Sequence, residues 1–298
     1  MRITNALTTR NAVRSMLISQ QGMDRATRQI TSGYRIDKPS DAPTDTSAVM
    51  GASGRIRALG QYTRNVEEAR AALDAQENAL NSMTDILTRA RELSISQAGA
   101  TATAQTRIAV KAEVDQLLRQ AVGLANTRHN DRYLFGGLQA DSAPATYIDG
   151  PVPSFTMADT TAAGEIQIGD GQRLLVVDDA ETIFGNTSTG ALASLRALSN
   201  ALQNNDAAGI ASAATDITTS FQTVQARLGA TGARANQLDM TAANLSALDL
   251  TLQRFRSELR DVDVETAMTE LVSKQTTYQA AMAAATRVLD LNLTNYLR

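Results

Sequence analysis

From Ala233 to Arg298 the chain contains neither Gly nor Pro, and from Val264 onward large residues recur at alternating steps of four and three. The series is Val264, Met268, Leu271, Gln275, Tyr278, Met282, Ala285, Leu289, Asn292 and Tyr296. This is a heptad stripe, and it predicts one helix running to the end of the chain. At about 1.5 Å per residue that helix is on the order of 50 Å long, more than a compact domain needs to close its core. It therefore requires partner helices along its length. The stripe is weak alone: Gln275 and Asn292 are polar, Ala285 is small, and the tyrosine hydroxyls need a wet edge. An arm of this kind is expected to order on assembly.

The opposite end of the chain offers a partner. Residues Arg2 to Thr31 place Ile3, Ala6, Val13, Leu17 and Ile30 at rough helical spacing among Arg10, Arg14, Arg25 and Arg28, with Asp24 as the one acid. The acidic cluster Glu258, Asp261, Asp263 and Glu265, where the C-terminal arm begins, complements that basic helix. The same composition also fits a solvated amphipathic helix or an organelle-targeting peptide.

Between the arms the pattern changes several times. The stretch Ser32-Gly33-Tyr34-Arg35-Ile36-Asp37-Lys38-Pro39-Ser40-Asp41-Ala42-Pro43 interrupts the helix. Pro39 drives Lys38 out of the helical region, and Pro43 suits the first turn of a new helix. That helix spans about residues 45–58, loosened by Gly51, Gly54 and Gly60. A second follows, with Tyr62, Val66, Ala69, Leu73, Gln76, Leu80, Met83, Leu87 and Ala90 in unbroken alternation and Gly99 near its end. A third covers about residues 103–128 and stops near His129-Asn130-Asp131. Arg132-Tyr133-Leu134-Phe135-Gly136-Gly137 reads as a short extended segment entering a turn.

From 141 to 186 prolines and glycines punctuate short extended runs at 145–148, 154–157, 165–168 and 173–177. Gly169-Asp170-Gly171-Gln172 reads as a hairpin loop. Helical spacing resumes at Ala191 and continues to Val262, where the stripe jumps around the helix between Asp261 and Val264. A core helix ends or bends there. The expected fold is mainly α with a small β insertion: a long helical bundle core with N- and C-terminal coiled-coil arms. The arms are 1–33 and 264–298, the core 34–140 and 187–263, and the β domain 141–186. Because the insertion joins two helical seams that run without it, it is expected to tolerate deletion.

Composition narrows the function. Aromatic residues make up 4% of the 298 and Trp is absent, which suits long, thinly packed helices better than a compact enzyme. A net charge of -3 provides no global basic field for nucleic acid. With no cysteine, disulfides and thiolate chemistry are excluded. No apolar run approaches the roughly 20 residues of a membrane span. The first residues lack the apolar core of a secretory signal, so export would use another route.

Catalytic and metal readings fail on chemistry. The single histidine, His129, stands at an expected helix end beside Asn130 and Asp131, suited to a solvated or capping role. Asp261, Asp263 and Glu265 open like a calcium loop, but Thr266 occupies the glycine position and Val272 the final acid position. Gly169-Asp170-Gly171 lacks the third glycine and the helix of a dinucleotide loop. No catalytic residue, metal site or cofactor is assigned. Asn186-Thr187-Ser188 matches the glycosylation pattern, a match common by chance.

Ser32-Gly33-Tyr34-Arg35-Ile36 with Ser40-Asp41, then Arg227-Leu228-Gly229-Ala230, then Glu258-Leu259-Arg260-Asp261-Val262-Asp263 resemble the terminal signatures of the bacterial flagellin family. Within it, Tyr133, Phe135, Gly136 and Gly137, together with Pro39 and Pro43, resemble the hook-filament junction members, the hook-associated protein 3 group, more closely than filament flagellin. The resemblance implies a structural subunit, made in the cytoplasm, held by an export chaperone and exported by the flagellar type III pathway. It also implies a ring of copies outside the cell, between a preceding hook-associated junction protein and flagellin. On that reading Ile3, Val13, Leu17, Val264, Met268, Leu271, Tyr278, Met282, Leu289 and Tyr296 form the assembly interface, and Gly33, Arg35, Pro39, Asp41, Asp261 and Asp263 are signature positions. Filament flagellin and a cytoplasmic helical scaffold or signalling protein are the alternatives.

Limited proteolysis of the dilute chain is therefore expected to leave a resistant middle of about residues 45–262. Mass spectrometry of the fragments checks this, and equal protection of both ends would contradict it.

Overall fold

The computed structural model describes residues 2–99, 102–151, 153–158 and 164–296. Seven helices and six short strands follow one another along the described residues: α1 (Arg2–Ser32), α2 (Pro43–Ala98), α3 (Ala104–Ala125), β1 (Arg128–His129), β2 (Arg132–Tyr133), β3 (Ala145–Ile148), β4 (Ser154–Met157), β5 (Glu165–Gly169), β6 (Gln172–Leu175), α4 (Ala180–Phe184), α5 (Ala191–Gln203), α6 (Ala207–Arg260) and α7 (Val264–Tyr296). The chain forms two compact units. Unit 1 is Met1–Ala58 with Ala247–Arg298, and unit 2 is Leu59–Ser246.

α2 runs unbroken through Gly51, Gly54 and Gly60, where the sequence suggests two helices. The reason lies in its buried positions. Ala52, Leu59, Val66, Leu73, Leu80 and Leu87 are spaced by seven, so one stripe continues past the glycines. α6 likewise passes Gly229 and Gly232 on Ile210, Ile217, Val224, Thr231, Leu238 and Leu245. Helix ends follow local chemistry. Thr103 accepts from the Thr106 amide at 3.2 Å and donates its own amide to the Thr106 hydroxyl at 3.0 Å, capping α3 reciprocally. α3 stops at Ala125, earlier than expected, and His129 lies in a strand. The hairpin β1–β2 turns on Asn130 and Asp131, at φ 50° and 61°, the left-handed pair a two-residue turn requires.

The core of unit 2 is built from α2, α3, α5 and the first half of α6, with Leu80, Met83, Leu87, Leu118, Leu192, Leu195, Leu198 and Ile217 fully enclosed. A polar layer adjoins it. Gln76, fully buried, donates to the Thr231 hydroxyl at 2.9 Å and accepts from the Asp178 amide at 3.4 Å. Arg234 closes the layer by pairing with Asp178 at 3.0 Å.

The strands form three antiparallel two-stranded sheets, β1–β2, β3–β4 and β5–β6, and β3 to β6 stand at about the expected positions. Hairpins of this size are marginal alone and need a surface to pack on. Here Ala145 of β3 and Phe155 of β4 enter the helical core, joined by Ala180, Ile183 and Phe184 of α4. Phe184 meets Phe135 edge to face, with ring centroids 5.2 Å apart. This corrects the expectation that residues 143–185 can be deleted, because their large side chains fill the same core as the helices.

Phe184→Ala is expected to destabilise unit 2 by about 3–5 kcal/mol, the usual range for emptying a buried phenylalanine site. Urea unfolding followed by circular dichroism measures it, and a change below about 1 kcal/mol would show that the insertion lies outside the core.

Candidate assembly interface

In unit 1, α1 and α7 pack against each other as an antiparallel pair. Their less exposed residues show the shared face: Met16, Ser19, Met23, Ala26 and Ile30 on α1, and Ala267, Leu271, Lys274, Tyr278, Ala281 and Ala285 on α7. The α7 set steps by four and three, as a coiled-coil seam does. Gly22 leaves room for the stem of Lys274, whose Cδ lies 3.5 Å from where a β-carbon on Gly22 would be.

The observed seam is rotated from the expected one. Leu271 and Tyr278 turn toward α1, but Val264, Met268 and Met282 are 57%, 50% and 43% exposed. Val13 and Leu17 are likewise exposed, joined by Leu7, Ile18 and Val272. Ile3, Leu289 and Tyr296 lie on helical backbone, and their side chains are outside the described residues. The sequence pattern thus merged two faces: one packs within the chain, and the other presents apolar residues to solvent. Ala267, Ala281 and Ala285 carry the inner face, and small residues give little signal when large ones define the stripe.

The arms start from a common junction. The Arg35 amide donates to the Arg260 carbonyl at 2.7 Å and the Val262 amide to the Gly33 carbonyl at 3.0 Å. Gly33 ends α1 at φ 74°, a left-handed conformation glycine adopts without strain. The Arg35 guanidinium bridges Asp45, at 3.0 Å, and the Leu259 carbonyl, at 2.7 Å. Arg25 pairs with Asp41 at 3.0 Å. The Lys38 amide, donating to Asp41 at 3.0 Å, is the main cause holding that carboxyl below its ordinary range, with Arg25 adding to it. Pro39 lies in the same loop. Arg260 stacks 3.7 Å from the ring centre of Tyr34.

Asp261 accepts from the Ser257 hydroxyl. Asp263 caps α7: its carboxylate accepts from the Thr266 hydroxyl and from the Glu265 amide, both at 3.0 Å, with the Thr266 amide at 3.4 Å. These bonds, the Thr266 hydroxyl first, lower its pKa. Asp45 is a junction member that the sequence did not single out, and the stacking of Arg260 on Tyr34, both in the signature stretches, joins positions far apart along the chain.

Tyr133, Phe135, Gly136 and Gly137 belong to unit 2, where they hold the turn after β2. The Phe135 carbonyl accepts from the Ala180 amide at 3.0 Å, fastening α4. A β-carbon on Gly136 would stand 2.8 Å from Ala140 Cα, so this position must be glycine.

Comparison with known proteins adds the following. The model of the bacterial flagellin N-terminal helical region matches residues 3–140, and that of the C-terminal helical region residues 211–297. Flagellar hook-associated protein 3 of Escherichia coli is 25% identical, over 98% of each chain. A flagellin of Halalkalibacterium halodurans is also 25% identical, over 94% of this chain and 93% of its own. In structure, flagellar hook associated protein-3 from Legionella pneumophila superposes with a TM-score of 0.61 at 14% identity, over 70% of this chain and 99% of that one, a likeness of fold.

Met268→Asp with Met282→Asp is expected to leave the melting temperature of the free chain within about 1 °C of the parent and to prevent assembly, because the carboxylates stay solvated until a partner covers them. Leu271→Asp, on the inner face, should instead reduce the helix content of the free chain. Circular dichroism and a motility assay in parallel read both effects, and equal behaviour of the two variants would sink the two-face assignment.

Proposed function

Because the chain belongs to the bacterial flagellin family, and is a structural protein of the flagellum rather than an enzyme, we propose that it is a hook-filament junction subunit of the hook-associated protein 3 kind. The observation that carries this reading is the correspondence with the Escherichia coli junction protein along 98% of each chain. The Legionella pneumophila fold likeness agrees with it. On this reading the subunit is exported by the flagellar type III system after release from a cytoplasmic chaperone. It then sits outside the cell as a ring of copies between the preceding hook-associated junction protein and flagellin.

The physical logic is in the arms. Two helices that hide one stripe from water and leave Leu17, Val264, Met268 and Val272 exposed favour burial against further helices. The parts then divide their tasks: arms 1–33 and 264–298 form the assembly layer, and the helical segments 34–140 and 187–263 carry the 141–186 insertion.

Filament flagellin is the second reading, favoured by the equal identity to the Halalkalibacterium halodurans protein. Electron microscopy of a deletion strain separates the two. The junction reading expects hooks without attached filaments and filament protein shed into the medium, restored by the gene in trans. Long filaments grown from the purified chain alone would overturn it in favour of flagellin.

A further inference from the structure

A groove of about 550 Å³ in unit 1 lies outside the paired arms, between the start of α2, the end of α6 and the 36–39 loop. Its floor is apolar, from Ile36, Val49 and Ile56, with Met50 at the rim 68% exposed. Around this floor stand Lys38, Arg57, Arg256 and Arg260. Among the described residues none of the four makes an ion pair, and Arg260 is engaged only with the Tyr34 ring. The one acid in the lining, Asp37, leans toward Arg28 at 3.9 Å. The hydroxyl of Thr46, also in the lining, is buried without a partner. Like charges gathered on a low-dielectric surface repel, so the groove gains from an occupant that is apolar along one line and acidic beside it.

The chain carries such a strip elsewhere on the same unit. Val264, Met268 and Val272 follow one another at steps of four along α7 and are all exposed. Glu258 and Glu265, flanking the start of this line, make no ion pair among the described residues, and Asp261 adds a third carboxylate. We infer that the groove receives the start of α7 from a second copy of this chain, with the Val264–Met268–Val272 line on Ile36, Val49 and Ile56 and the carboxylates among Arg57, Arg256 and Lys38. Groove and strip are different surfaces, so the contact is heterologous and propagates into a ring or helix of copies instead of closing a dimer. The inference rests on the reading that copies of this chain assemble together. It adds a second contact surface, separate from the outer face of α1.

Charge reversal tests the pairing. Arg57→Glu with Arg256→Glu should cut the number of filament-bearing cells at least tenfold with an unchanged melt of the free chain, and Glu258→Arg with Glu265→Arg should do the same. All four changes in one chain should recover to within about twofold of the parent, because each groove then meets a strip of restored opposite charge. Normal assembly of the first variant, or a combined variant no better than the worse pair, would overturn the inference.

The chain has no cysteine, so a Ser53→Cys, Thr269→Cys variant gives a second, unambiguous readout. Oxidised in isolated flagella, it should run as a ladder of covalent multimers on a non-reducing gel. Monomer only, or cross-links to a different protein, would overturn the groove assignment. Should the chain prove to be filament flagellin, the ladder persists in filaments, so failure of the junction reading and failure of the groove are told apart.

Discussion

A helix packed on one neighbour hides about one stripe of its surface, and each arm helix carries apolar residues on two. In α7 the inner line Ala267, Leu271, Lys274, Tyr278, Ala281, Ala285 meets α1, and the outer line Val264, Met268, Val272 faces water. The inner line is built largely from alanine, which brings backbones close while burying little area. The arrangement is thus stable enough to define which face points outward and leaves the larger side chains for what comes next. A chain that buried its large residues inward and exposed its alanines would be more stable alone and would have little to offer a neighbour.

Unit 2 solves a different problem: α2 and α6 are long, and an unbroken apolar seam between long helices can slide by one heptad. The buried Gln76 amide removes that freedom, because only one register gives it the Thr231 hydroxyl and the Asp178 amide together. Asp178 in turn is held by Arg234, with one carboxylate oxygen left without a partner among the described residues. The layer trades some stability for a unique alignment, the same use that a polar core residue has in a coiled coil.

Much of this was legible in the residues. The heptad lines of α2 and α7, the break near Asp261, all four strands of the insertion and the hairpin at Gly169–Gln172 follow from spacing and turn chemistry. What sequence could not show falls into two kinds. Glycines read as breaks in α2 because local propensity ignores a stripe that continues on both sides. The faces of α7 were merged because Leu271, Tyr278 and Ala285 belong to both possible seams, and only the position of α1 separates them. The role of Phe155 and Phe184 was hidden for a similar reason, since a hairpin's alternation tells which side is apolar and not what it covers. At the junction the main-chain bonds of Gly33, Arg35, Arg260 and Val262 leave no mark in side-chain type.

Those junction bonds also bear on how the chain folds. Arg35 and Leu259 are 224 positions apart, so tying them early would close a very long loop before any nearby contact rewarded it. Unit 2 has local hairpins and the adjacent α3 and α5 to begin from, and once formed it carries Leu59 and Ser246 in one body. The order of events is thereby set from the middle outward: the two ends of the chain find each other last, after the structure between them has shortened the search.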